Sequence, residues 1–105
     1  MEMKQVYSPE DHILNISVLG ELDVSNISEF REALVRGIEQ KSPHVVLDCE
    51  QLKYIDSTGL GVLVAAYKKA KELGGSIQIV RLKPYLKKIF MITALDKIFN
   101  IEVEA

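Results

Sequence analysis

VVLDCEQLKYIDSTGLGVLV, residues 45–64, reads as an apolar run, a polar turn and a second apolar run of different period. The first run belongs to HVVLD, residues 44–48, short and nearly continuous in apolar character, as in a strand covered on both faces. The second continues as LGVLVAAYKKAKEL, residues 60–73, in which Leu60, Leu63, Val64 and Tyr67 recur at helical spacing and the Gly74-Gly75 pair follows in the C-cap role. Strand, turn and helix in that order are the unit from which partly parallel sheets with packed helices are built. YIDSTGLG, residues 54–61, is then a strand-to-helix turn, the place where such folds carry their sites.

The flanks repeat the unit. In ILNISVL, residues 13–19, Leu14, Ile16 and Val18 alternate with Asn15 and Ser17, the period of a half-covered strand. MKQVY, residues 3–7, is a weaker strand, and SPEDH between the two supplies turn residues, which predicts a hairpin. GELDVS, residues 20–25, reads as a loop. Ile27, Phe30, Leu34 and Ile38 then mark a helix ending near Lys41, before Pro43, with Asn26 and Glu29 spaced as a capping box. SIQIV, residues 76–80, is a further strand, and Pro84 opens a helix whose apolar stripe is Leu86, Ile89 and Phe90. Phe99, Ile101 and Val103 alternate with Asn100 and Glu102 as a short closing strand. The fold class predicted is α/β: one domain over residues 1–105, a mixed sheet of four to five strands with an N-terminal hairpin, and three to four helices packed on it.

Composition narrows the function. A chain of 105 residues, 48% hydrophobic and 27% charged, suits one core, and a net charge of −2 argues against a nucleic-acid binder, which needs a concentrated positive surface. Lys68, Lys69 and Lys71 leave room for a local basic patch. Nothing resembles a secretory signal or a bilayer-spanning run, so a cytoplasmic location is the expectation. The single cysteine, Cys49, has no intrachain partner and reads as a small buried hydrophobe.

Ser57 is the focus of the turn. As part of a helix N-terminus, Asp56, Ser57 or Thr58 can cap the first-turn amides. A hydrolase elbow needs glycine on both sides of the serine, whereas Asp56 precedes it, and His44, at the far end of its strand, stands over ~10 Å away along an extended chain. His12 falls in the hairpin turn, and both imidazoles read as surface residues. Two histidines and one cysteine show no metal-ligand spacing; Asp23, Asp48 and Asp56 read as capping and solvated groups. A phosphate cradle is incomplete, because Val64 stands where GxGxxG needs its last glycine. Ser57 as the substrate of a kinase fits better: its hydroxyl precedes a helix whose dipole tolerates added negative charge, while about two charges placed in a close interface would break it. Val62 and Ala66, off the sheet-facing stripe, are covered either by a neighbouring helix or by a partner.

GELD (20–23), residues 45–64, GGSIQIV (74–80) and LDKIFNI (95–101), in this order, resemble the anti-sigma factor antagonists of the STAS domain family across nearly the whole chain. The resemblance implies a STAS-like fold and a non-enzymatic role. In such proteins the unmodified antagonist binds an anti-sigma factor that is also a serine kinase, releasing the sigma factor. Phosphorylation of the serine after the motif aspartate, here Ser57, breaks that complex, and a PP2C-type phosphatase restores it. Carried over by position, Asp23 and Asp56 flank the phosphoacceptor, and Thr58, Gly59, Leu60 and Gly61 form the docking surface, with Gly59 and Gly61 allowing either close approach by the partner or tight packing of the turn on the sheet. ATP and magnesium belong to the kinase, so no cofactor is expected of this chain, which is expected to be a monomer when free. A STAS partner-switch protein with a non-sigma output, and a small-nucleotide-binding module, are the alternatives. Where the family commonly has glycine before the Leu-Asp of its last segment, this chain has Ala94, and the turn there is expected to differ locally.

Overall fold

Alternation of Leu14, Ile16 and Val18 with Asn15 and Ser17 produces the strand on which the sheet is built, β2 (Ile13–Leu22). The structure, a computed structural model, describes residues 1–104. Preceding β2 is β1 (Glu2–Ser8), paired antiparallel to it with Met3 opposite Val18 and Tyr7 opposite Leu14, the predicted hairpin. The chain continues through α1 (Ile27–Gln40), β3 (His44–Asp48), β4 (Leu52–Ile55), α2 (Ser57–Glu72), β5 (Ser76–Leu82), α3 (Pro84–Ile92), a single 3-10 turn (Leu95–Lys97) and β6 (Asn100–Val103). The sheet order is β1-β2-β3-β5-β6, with β4 beside β2, and every pair except the hairpin is parallel. The strand ends that lead into helices therefore gather at one edge.

Two sequence expectations change here. HVVLD is covered on one face only: Val45 and Leu47 are buried, His44 is exposed, and Val46 and Asp48 are half-buried. The same alternation runs through β2 and β5, so the buried face, with Phe30, Leu34, Leu63, Ala66 and Phe90 packed in the same core, is the helix-covered one. The sixth strand, β4, lies inside what read as a connection. Its four residues show no alternation, with Leu52 and Ile55 buried and Lys53 and Tyr54 exposed, so it has no legible period. Strand β2 runs on through GEL and passes from β3 to β4 across a register shift at Gly20 and Glu21, where the Gly20 amide donates to the Gln51 carbonyl at 2.9 Å.

Helix α1 packs against α2, which answers what covers Val62 and Ala66: Ala66 is fully buried and Val62 packs at the core margin. Lys69 reaches Glu39 on α1 at 3.3 Å, and Lys71 lies over the Tyr67 ring at 5.7 Å, so two of the three α2 lysines are engaged within the protein. On its other flank α2 meets the end of the chain through Tyr67, Phe99 and Phe90, whose rings pack edge-to-face at 5.4 and 6.1 Å between centroids. The capping box does not form. Asn26 precedes α1 without capping it; its side chain instead accepts from the Asp23 amide at 3.1 Å and donates to the Glu21 carbonyl at 2.8 Å, closing the β2–α1 loop. Ala94 does adopt the left-handed conformation, with φ 61°, so the turn after α3 keeps its geometry without glycine and carries the strain that alanine brings there.

Candidate functional site

The turn that begins α2 is anchored from below. The Asp56 amide donates to the Leu22 carbonyl at 3.1 Å, joining the ends of β4 and β2 and bringing the Asp23 loop beside the serine turn. Ile55 and Leu22 are buried beneath it. Asp56 is the N-cap of α2: its carboxylate accepts from the Gly59 amide at 3.1 Å and from the Thr58 hydroxyl at 2.5 Å. The Thr58 hydroxyl bond, then the Gly59 amide and more weakly the amides of Thr58 and Val24, hold the Asp56 carboxyl below its ordinary range against a smaller effect of burial. It is an anion at neutral pH.

Ser57, the first residue of α2, is exposed, and its hydroxyl makes no hydrogen bond among the described residues. Thr58 is exposed too, but its hydroxyl is committed to Asp56. The two glycines differ. A Cβ on Gly59 would stand 2.6 Å from Ile55 Cγ1 and 3.4 Å from Leu22 Cβ, so its absence lets the helix start lie on the sheet; a Cβ on Gly61 would meet nothing within 4 Å. Leu60 is 6% exposed and belongs to the core. Of the residues assigned by resemblance to a docking surface, Thr58 and Gly61 are at the surface, whereas Gly59 and Leu60 are underneath, because the first helical turn must bury one side to pack at all.

Asp23 is half-buried and spends its carboxylate on its own loop, accepting from the Ser25 amide at 3.0 Å and the Ser25 hydroxyl at 2.5 Å. Asp48 is separate again. Burial pushes its carboxyl up, but hydrogen bonds from Arg81 and the Glu50 amide, together with the guanidinium charge, outweigh that and leave it lowered. Arg81 also reaches Glu50 at 2.9 Å. Its guanidinium is raised further by the Asp48 hydrogen bonds. The three aspartates thus do three structural jobs. His12 and His44 face each other at 5.6 Å between ring centroids, with the Tyr7 hydroxyl 2.6 Å from His12 Nδ1, at the edge where β3 begins and opposite to the edge carrying Ser57. Cys49 is buried, and burial followed by the Asp48 charge pushes its thiol up to about 12.

Sequence reasoning passed over two surface residues. Val24, 75% exposed in the Asp23 loop, and Tyr54, 46% exposed on β4, are apolar groups flanking the turn. Neither belongs to a periodic stretch, so only the folding of the two loops together distinguishes them.

The family model described as the STAS domain matches residues 4–104. The anti-sigma-B factor antagonist of Bacillus subtilis (strain 168) is 35% identical to this chain over 92 residues, which cover 88% of this chain and 84% of that protein. Among solved structures, an anti-sigma factor antagonist from Mycobacterium paratuberculosis superposes with a TM-score of 0.80 at 25% identity, covering 96% of this chain and 86% of that one. The Bacillus cell fate determinant SpoIIAA in its phosphorylated form gives a TM-score of 0.74 at 19% identity, covering 98% and 93%. At 19% identity that second likeness bears on the fold alone.

Proposed function

This chain belongs to the STAS domain family, and from that premise we propose that it is an anti-sigma factor antagonist switched by phosphorylation of Ser57. Unmodified, it binds an anti-sigma factor that is also a serine kinase, and the sigma factor is released. Phosphorylation ends that binding, and a PP2C-type phosphatase restores it. The chain is a cytoplasmic binding protein and catalyses nothing itself; the nucleotide and its metal belong to the kinase.

The observation that carries this reading is the free hydroxyl of Ser57 on an exposed helix start. A kinase can reach it without unfolding anything, and a phosphate of about two negative charges is tolerated at a helix N-terminus. Facing a partner it is not tolerated: it would stand beside the Asp56 carboxylate and have to be desolvated in the interface, and each ~1.4 kcal/mol of that penalty is tenfold in affinity. Ser57 is the acceptor rather than Thr58, whose hydroxyl is held by Asp56 at 2.5 Å. The docking face comprises Asp56, Thr58 and Gly61 with the adjoining Asp23 loop; Gly59 and Leu60 serve it by seating the helix. SpoIIAA, which shares the fold, has been solved in a phosphorylated form.

The test is incubation with the cognate kinase and ATP, followed by localisation of the phosphate by mass spectrometry. Phosphate on Ser57, persistent binding by Ser57→Ala and weak binding by Ser57→Asp are the expected results. Phosphate elsewhere, or equal affinity of the modified and unmodified proteins, would end the proposal.

A further inference from the structure

Helix α3 is apolar on the wrong side as well as the right one. Leu86 and Phe90 are buried in the core. At about 100° per residue, Tyr85, Lys88, Met91 and Ile92 fall together within roughly 120° of arc on the opposite side. Three of these four are large apolar residues, Tyr85 at 52%, Met91 at 55% and Ile92 at 84% exposure, and Ile92 is the most exposed large hydrophobic side chain among the described residues. Ile98, just beyond the 3-10 turn, is 37% exposed. An ordinary surface helix places polar residues there, and exposed large apolar side chains grouped on one face, here around Lys88, mark a contact surface.

The charge on the helix itself is of one sign, with Asp96 the nearest carboxylate beyond it. Helix α3 carries Lys87 and Lys88 and no acidic residue, and Lys97 follows in the 3-10 turn, although the chain as a whole is at −2. Lys83, by contrast, is paired with Glu104 at 3.2 Å. The face is also tied to the phosphorylation turn: the Tyr85 hydroxyl donates to the Lys53 carbonyl at 2.6 Å, and Lys53 lies on β4, the strand that leads into Asp56 and Ser57.

We propose that this outer face of α3 is a second docking surface for the anti-sigma factor, taking an acidic segment of it that also bears apolar side chains; the inference rests on the function proposed above. Charge complementarity selects that occupant. A second copy meeting the face by two-fold symmetry would set Lys88, at the middle of the face, against its own counterpart, with Lys87 at the margin adding like charge. An anionic bilayer is a poorer match, because a helix of nine residues is only ~13 Å long, and Asp96, Glu102 and Glu104 follow it closely. A narrow acidic segment can meet the lysines and avoid those carboxylates.

Titration calorimetry of the purified cognate anti-sigma factor against the full chain tests this. The wild type, Ile92→Glu, Ile92→Lys, the double variant Lys87→Glu/Lys88→Glu and Ser57→Asp are compared, each checked for an unchanged unfolding midpoint. Ile92→Glu and the double lysine variant should each weaken binding by about tenfold or more, and Ile92→Lys by less than Ile92→Glu, because only the sign of the added charge differs. The double variant should also flatten the loss of affinity with added salt. If Ser57→Asp abolishes binding while the α3 variants keep wild-type affinity, the α3 proposal is wrong and the phosphoswitch stands. If the wild type does not bind, both fall. Sedimentation of the free protein as a dimer that Ile92→Glu dissolves would assign the face to a second copy, and retention on vesicles of four parts phosphatidylcholine to one part phosphatidylglycerol would assign it to lipid; either result overturns the proposal.

Discussion

Ala94→Gly should stabilise this protein, although it removes a side-chain carbon and inserts the residue with the most freedom to lose. Ala94 stands at φ 61° and ψ 15°, between α3 and the 3-10 turn. Thr93 closes the helix before it with a hydroxyl bond to the Ile89 carbonyl at 2.9 Å, and the Ala94 carbonyl accepts from Lys97 at 3.3 Å after it, so the conformation is held from both sides. A left-handed L-residue costs about 1–2 kcal/mol. Glycine removes that cost and returns ~0.4–1 kcal/mol through its freer unfolded chain. The methyl group is exposed, so little packing is lost. The net gain is about 0.5–1 kcal/mol, or roughly 2–8 °C in Tm for a domain near this size. Gly74→Ala is the mirror experiment: φ is +84° and a Cβ there meets nothing within 4 Å, so the same two effects act with opposite sign and stability should fall by about 0.5–1 kcal/mol. Urea unfolding followed by circular dichroism measures both, with the m-value unchanged. If Ala94→Gly were neutral or destabilising while Gly74→Ala behaved as stated, residue 94 would not be left-handed in solution and the reasoning would be refuted.

The two glycines of the serine turn should separate under substitution. Gly59→Val drives a branched side chain into Ile55 and Leu22 and should lower stability by about 1–3 kcal/mol, whereas Gly61→Ala, entering open space, should raise it slightly and register only as weaker partner binding; equal unfolding midpoints for the two would contradict the packing described. Because the Asp56 carboxyl is lowered in the folded protein, its contribution is complete above the ordinary carboxylate value of about 4 and is lost as pH falls through the lower folded value, so Asp56→Asn should destabilise at neutral pH and lose less on acidification. An acid-unfolding curve unaltered by that variant would show that the cap contributes nothing. Cys49, buried and with its thiol pushed up to about 12, should resist alkylation at neutral pH until the protein unfolds, and rapid labelling of the native chain would refute its placement.

What the sequence determined by itself was everything carried by local period and local backbone chemistry. The alternation in residues 13–19 and 76–80, the helical spacing of Phe30, Leu34 and Ile38, Pro84 at the start of α3 and Gly74 at the end of α2 each specify an element without reference to the rest of the chain. The turn around Ser57 was legible for the same reason, since its residues are contiguous. Tertiary structure decided whatever depends on what lies across the sheet or beside a loop. It left HVVLD half-covered, because the helices share one face. It drew four residues without alternation into β4, because β2 outruns β3 and needs a partner for its remaining backbone groups. It diverted Asn26 from capping a helix to bracing the Asp23 loop, where its amide oxygen and its amide nitrogen each satisfy a backbone group. It also sorted Gly59 from Gly61, neighbours of one residue type two positions apart, of which one lies against Ile55 and the other against solvent. Which side of a first helical turn faces the sheet is set by the sheet's position, and that position is the sum of contacts distant along the chain.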